Sequence, residues 1–167
     1  HRGLSQQMAV HSVERAYNTI VYGGFAQDEG FVESNLGRSK TDRKKMAVLE
    51  TGGKAAATNY KTLENFNGAA ALVQCNLETG RTHQIRVHMA SIGCNLVGDQ
   101  LYVKSKKTSL KGLDEETKAF VNVFPRQALH AASLGFVHPR SGEKLQFSCG
   151  FPDDYLLLLD KLRGSRI

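Results

Sequence analysis

One dipeptide, Asn67-Gly68, constrains the fold of this chain more than any other feature. It separates two runs, Ala55 to Phe66 and Ala69 to Leu77, that are patterned as strands. Two such runs joined by Asn-Gly form a tight hairpin, because both residues tolerate the positive φ that a turn matched to the strand twist requires. The scaffold must then contain antiparallel pairing. The second run ends in a Thr79-Gly80 turn, after which the hydrophobic period changes. Ile85, Met89 and Ile92 fall at i, i+4 and i+7, a helical spacing, and Gly93 supplies a left-handed stop. Strand, turn and helix therefore follow one another without a gap. Unpaired backbone N–H groups at a helix start favour an anion, and Arg81, Thr82, His83, Gln84 and Arg86 crowd that place. Phosphate or carboxylate is the expected guest.

The rest of the chain supplies further strands and a few helices. Leu4 and Met8 stand one turn apart in Gly3 to Val13, as in an amphipathic helix. Glu14 to Phe25 alternates, with Tyr17, Thr19 and Val21 on one face and Ala16, Asn18, Ile20 and Tyr22 on the other. Gly30 to Lys45 is basic and has few apolar residues, a composition that most often marks a solvated loop; Met46 to Glu50 is a short strand. Lys104 to Lys111 is a polar basic loop, and Asp114, Glu115 and Glu116 form the acidic first turn of a helix that ends before Pro125. A strand then runs to Val137, turns at Pro139 to Gly142 and returns as Glu143 to Cys149. Pro152-Asp153 opens a last helix whose Leu156, Leu159 and Leu162 are predicted to form its buried stripe. Strands outnumber helices and are joined largely by hairpins. This is an α+β domain, a mostly antiparallel mixed sheet flanked by helices, with residues 1–167 in a single unit.

Composition narrows the partner. Lys and Arg outnumber Asp and Glu by 22 to 16, a formal charge of +6 that suits a phosphate-rich ligand. Arg38, Lys40, Arg43, Lys44, Lys45 and Arg81 cluster around the key turn. Cys75, Cys94 and Cys149 are widely spaced and form no Cys-x-x-Cys pair, which argues for reduced thiols in a cytoplasmic protein, not a disulfide framework or zinc site. His83 and His88 are five apart, unlike the i, i+4 pair of a zinc helix, so no metal is expected. The longest aliphatic run, Leu156 to Leu159, is far too short to cross a bilayer, so no membrane partner is expected. A monomer is the expected state.

The segment GRTHQIRVH from Gly80 to His88, followed by the Gly98-Asp99-x-x-Tyr102 element, resembles the third motif of RNA pseudouridine synthases that modify ribosomal and transfer RNA. Arg15 to Gly23 resembles the second motif, in which a basic residue precedes an aromatic by two positions. Arg43 to Val48, Gly53 to Tyr60, Arg126 to Ala131 and His138 to Glu143 are similar to family wording as well, and the resemblance implies a short strand within Gly30 to Lys45 that leads to the Arg43 segment. The resemblance implies uridine isomerisation in RNA, most of all ribosomal RNA, by an aspartate nucleophile, with no cofactor; attack on the base or on the sugar both remain open. It makes Tyr17 the aromatic that packs on the uracil and Arg86 the partner of the nucleophile, so Arg86 is expected to face the pocket near Tyr17 instead of pairing with Asp99, which is taken as structural. Thr82, His83 and Gln84 join the basic residues as RNA contacts. The family's aspartate sits in an H-R-L-D-x-x-T-S-G loop that is absent here; His1-Arg2-Gly3-Leu4 lacks the acid. The chain is therefore expected to be a catalytic-domain fragment, inactive alone, with a non-catalytic RNA-binding module as the alternative.

Overall fold

Asn67 and Gly68 both take positive φ, 53° and 69°, and the Ala69 N–H donates to the Phe66 carbonyl at 2.9 Å. The expected hairpin is present, joining β4 (Lys54–Phe66) to β5 (Ala70–Leu77). The structure is a computed structural model that describes residues 2–103 and 110–165. The basic loop expected over Lys104 to Lys111 lies mostly outside the described residues, as does His1. Around the hairpin stand α1 (Arg2–Ala9), β1 (Glu14–Tyr22), β2 (Glu29–Arg38) and β3 (Met46–Leu49) before it. After it come α2 (Gln84–Ser91), α3 (Glu115–Asn122), β6 (Leu129–Val137), β7 (Lys144–Ser148) and α4 (Asp153–Gly164).

The seven strands form one sheet in the order β3-β2-β4-β5-β1-β6-β7. Every pairing between these strands is antiparallel, so the mixed character expected of the sheet is not found among them. β2 departs from what composition alone suggests. The basic run from Gly30 reads as a solvated loop by composition, whereas the short strand that the family wording implies is present, ten residues long and paired on both sides, to β3 and β4. Its apolar signal is weak because only Val32 and Leu36 are buried along it, while Phe31, Glu33 and Asn35 face solvent.

Successive side chains of β1 go to opposite faces, as strand geometry demands. Ile20 and Tyr22 join Leu72, Val121, Tyr155, Leu158 and Leu159 in a core beneath α3 and α4. Val21 and Tyr17 join Val73, Ile85, Met89 and Leu96 in a second core beneath α2. Fully burying each such aliphatic side chain contributes about 1.5 to 3 kcal/mol, so the two cores anchor the helices. The buried face of α4 is Tyr155, Leu158, Leu159 and Leu162. Leu156, predicted to be inside, is 41% exposed. Tyr155 and not Leu156 stands at i−3 and i−4 from Leu158 and Leu159, so the aromatic sets the stripe. Ile92 fails in the same way. It caps α2 at 40% exposure, and His88 takes the inner position between Ile85 and Met89.

Coverage of the sheet is uneven. α2 packs on β2, β3 and β4, whereas Leu134 on β6 and Phe147 on β7 stay 38% and 55% exposed. α1 buries none of its residues and is tied to the edge of β6 by the Gln7 side chain, which bonds both the N–H and the carbonyl of Val137.

Candidate functional site: a braced helix and an open cleft

Two polar systems hold the start of α2. In the first, the Gln84 amide sits between the turn and β4. Its Oε1 accepts from Thr79 Oγ1 at 2.6 Å and from the Arg81 N–H at 2.9 Å. Its Nε2 donates to the Ala57 carbonyl and to Thr58 Oγ1. Thr58 also bonds His88 Nδ1, and His88 Nε2 reaches Ser34 Oγ on β2 at 3.0 Å. Gln84 and His88 are 2% and 0% exposed. The expected RNA contact through Gln84 is therefore overturned: the amide has no free atom and no access to solvent. Burial lowers the pKa of His88 and keeps the ring neutral at physiological pH, as its two hydrogen bonds allow.

The second system centres on Asp99. Gly98 takes φ of 71°, and a Cβ there would overlap the Arg126 carbonyl, so only glycine admits this turn. The Asp99 carboxylate, 1% exposed, accepts from the N–H groups of Leu101 and Tyr102. Arg86 meets it through Nε and Nη2, each at 2.8 Å, and lies over the Tyr102 ring at 4.8 Å. Burial alone would raise the Asp99 pKa, but the Arg86 hydrogen bond and the two N–H groups outweigh it and hold the carboxyl below its ordinary value. The expectation that Arg86 avoids local acids in order to meet a nucleophile near Tyr17 is thus overturned. A bidentate, largely dry pair makes Arg86 a strut between α2 and the turn that follows it. Asp99 is structural, as expected. The Tyr102 hydroxyl completes the brace, accepting from the Met46 N–H and bonding His83 Nδ1. His83 caps α2 in the left-handed region at φ 56°, and burial and the nearby Arg86 charge lower its pKa.

Tyr17 lies elsewhere. It lines an open cleft of about 360 Å³ with Met8, Arg15, Ala131, Phe147 and Cys149, over the part of the sheet that α2 does not cover. That volume falls within the range of small-ligand sites. Arg86 is not among the lining residues, nor is any carboxylate. The ring is half-buried and packs into the core that Ile85 and Met89 also enter, so α2 supports the cleft from behind without opening into it. Among the described residues no three His, Cys, Asp or Glu side chains converge as metal ligands.

Residues 1–91 match the family model described as RNA pseudouridylate synthase. The chain belongs to that family. The pseudouridine synthase resemblance extends past the matched segment: the chain is 45% identical over 163 residues to ribosomal large subunit pseudouridine synthase D of Zymomonas mobilis, covering 97% of this chain and 49% of that protein. An RNA pseudouridine synthase of Bacillus subtilis, YlyB, is 41% identical over 98% of this chain and 48% of its own length. The chain thus spans about half the length of these curated relatives. The solved structure of human RNA pseudouridylate synthase domain containing 4 shares the fold at a TM-score of 0.75 and 23% identity, covering 97% of this chain and 67% of that one.

The basic residues of the chain divide by environment. Lys40, Arg43 and Lys44 are exposed, and so is the neutral Thr82. Arg38 is exposed at the end of β2 and donates to the Arg43 carbonyl, which fixes the loop between them. Lys45 is held by Asp42 at 3.7 Å and is less available than expected. Arg81 is half-buried, with Nε on the Ala55 carbonyl. Sequence reasoning missed the hub role of Tyr102 and the Ser34–His88–Thr58 chain. The spacing of His88 one turn after Gln84 is the signal that one helix face is polar and buried.

Proposed function

We propose that this chain is part of an enzyme that isomerises uridine to pseudouridine in structured RNA, with ribosomal RNA as the substrate. The observation that carries the proposal is Tyr17, the aromatic of the family's second motif, half-buried in a cleft of about 360 Å³ on an uncovered sheet face. A uridine in folded RNA must leave its stack to be modified, and the flipped base needs a flat partner and an enclosure. Tyr17 offers the ring, and Ala131 and Phe147 offer apolar walls. Arg38, Lys40, Arg43, Lys44 and Arg81, with Thr82 and His83, supply backbone contacts from the flanking loops, consistent with the net charge of +6.

The isomerisation breaks the bond from uracil nitrogen to the ribose and forms one from carbon, so it needs a nucleophile and a return path but no outside oxidant. No residue lining the Tyr17 cleft is an acid, and Asp99 is fully engaged with Arg86. We expect the nucleophilic aspartate that the family resemblance implies to be none of these acids, and the 167-residue chain alone to bind RNA without converting it. Incubation with unmodified ribosomal RNA fragments, followed by nuclease digestion and mass spectrometry, tests this. Product above background would mean that an acid within the chain is the catalyst. Absence of product from a longer chain that carries the aspartate loop would defeat the proposal as a whole.

A further inference from the structure

Among the described residues, Arg15 is the one cation beside the Tyr17 cleft that no part of the fold accounts for. It stands two residues before Tyr17 on the same face of β1, about 7 Å along the strand. Its side chain is half-buried, and its Nε is enclosed without a hydrogen-bond partner. Among the described residues it forms no ion pair. The nearby acids have other partners: Glu14 pairs with Lys144, and Glu78 accepts from Asn59. The guanidinium fills the space above Gly80, where any Cβ would collide with it. It lines the Tyr17 cleft and also a neighbouring depression of about 410 Å³ edged by Asn59, Gln74 and Asn76 and by the already engaged Glu14 and Glu78. With Nε enclosed and the fork standing at the junction of two open depressions, its outer nitrogens are the donors that an anion from outside can meet.

We infer that Arg15 grips the RNA phosphate adjoining the base that stacks on Tyr17. This rests on the RNA reading above and adds to it a residue outside the loop cluster. The distance from Arg15 to Tyr17 along the strand is comparable with that from a nucleotide's base to its phosphate, so one nucleotide spans both. The glycine at position 80 is the structural condition of that grip, because it leaves room for the fork beside the turn into α2.

The test is binding of a fluorescein-labelled oligouridylate to the 167-residue chain across a salt series. Arg15→Gln should weaken binding about tenfold at low salt and lower the slope of log affinity against log salt by about 0.7. Arg15→Lys should keep the slope and recover part of the affinity. Gly80→Ala retains every charge; position 80 has no positive φ, and the long Arg15 side chain can yield, so the variant folds. It should nevertheless lose affinity as the guanidinium is pushed aside. Thermal midpoints of all three should match the parent, since Nε makes no internal bond. An unchanged slope and affinity in Arg15→Gln, with the parent binding normally, overturns the role of Arg15 and leaves the RNA reading standing. Salt-dependent binding absent from the parent itself overturns both. Midpoints lowered in both Arg15 variants would make the residue a packing element and overturn the inference.

Discussion

The two halves of one sheet face are built on opposite principles. Over β2, β3 and β4, α2 is fastened by Gln84, His88 and the Arg86–Asp99 pair, and almost every buried polar atom has a partner. Over β1, β6 and β7 no helix among the described residues packs down in this way, α1 only bordering the cleft through Met8; Phe147 and Leu134 are exposed, Tyr17 lines a cleft, and Arg15 Nε is unpaired. The contrast shows that the most conspicuous motif in the sequence is largely architecture. GRTHQIRVH directs most of its polar residues inward, and the plainer strand before it carries the groups left free for a ligand.

The comparison breaks most readily at Asp99. Asp99→Ala leaves Arg86 nearly buried without a counter-ion and should cost about 3 to 5 kcal/mol in urea unfolding. Tyr17→Phe should leave the midpoint where it was, since the Tyr17 hydroxyl has no hydrogen bond to lose among the described residues. Equal effects from the two would dissolve the distinction between a braced half and an open one.

His88→Ala removes a fully buried ring and strands the Ser34 and Thr58 hydroxyls, for an expected loss of about 2 to 4 kcal/mol. The same residue sets a pH dependence. Its folded pKa lies below the unfolded value of 6.5, so the unfolded chain takes up the proton first. Its stabilising effect is complete above that value and declines as pH falls below it; His83 shifts in the same direction. Thermal midpoints between pH 8 and 5 should drop, and His88→Gln should flatten the curve. A parent curve already flat across that range would show that the buried ring protonates freely.

On the open half the effects should appear in binding, not stability. Tyr17→Ala should weaken RNA binding by about 1 to 3 kcal/mol through lost stacking, with the salt slope unchanged. Arg43→Ala combined with Lys44→Ala should reduce that slope by about 0.7 per contact and weaken all sequences alike. Lys45→Ala should do less, because Asp42 already engages that lysine. Loss of slope from Tyr17→Ala would place the cleft among the phosphate contacts.

What could be read from sequence follows the strength of local signals. The Asn67-Gly68 turn, the alternation of β1 and the acidic start of α3 each state their own conformation, and Asp114 does cap α3 by accepting from the Thr117 N–H at 2.8 Å. β2 was obscured because its inward positions include Ser34, whose partner His88 is far away in sequence. Tyr17 was singled out through its motif. Gln84 and Arg86 were misassigned because a polar residue near a helix start looks the same whether it faces a ligand or a neighbouring strand. Only the register of α2 against β4, a tertiary fact, separates the two.

The position of β1 has a kinetic consequence. It is the first strand along the chain yet lies between β5 and β6 in the sheet, and Tyr17 pairs with Cys75 on one side and Ala131 on the other. The pairings among β2, β3, β4 and β5 join segments close in sequence, so their loops close at lower entropic cost. That group can zip together early, while β1 must wait for β5 from the middle of the chain and for β6, more than a hundred residues after it. A molecule caught part-way through folding would then hold its basic loops and much of its braced helix, but lack the floor on which a base could stack.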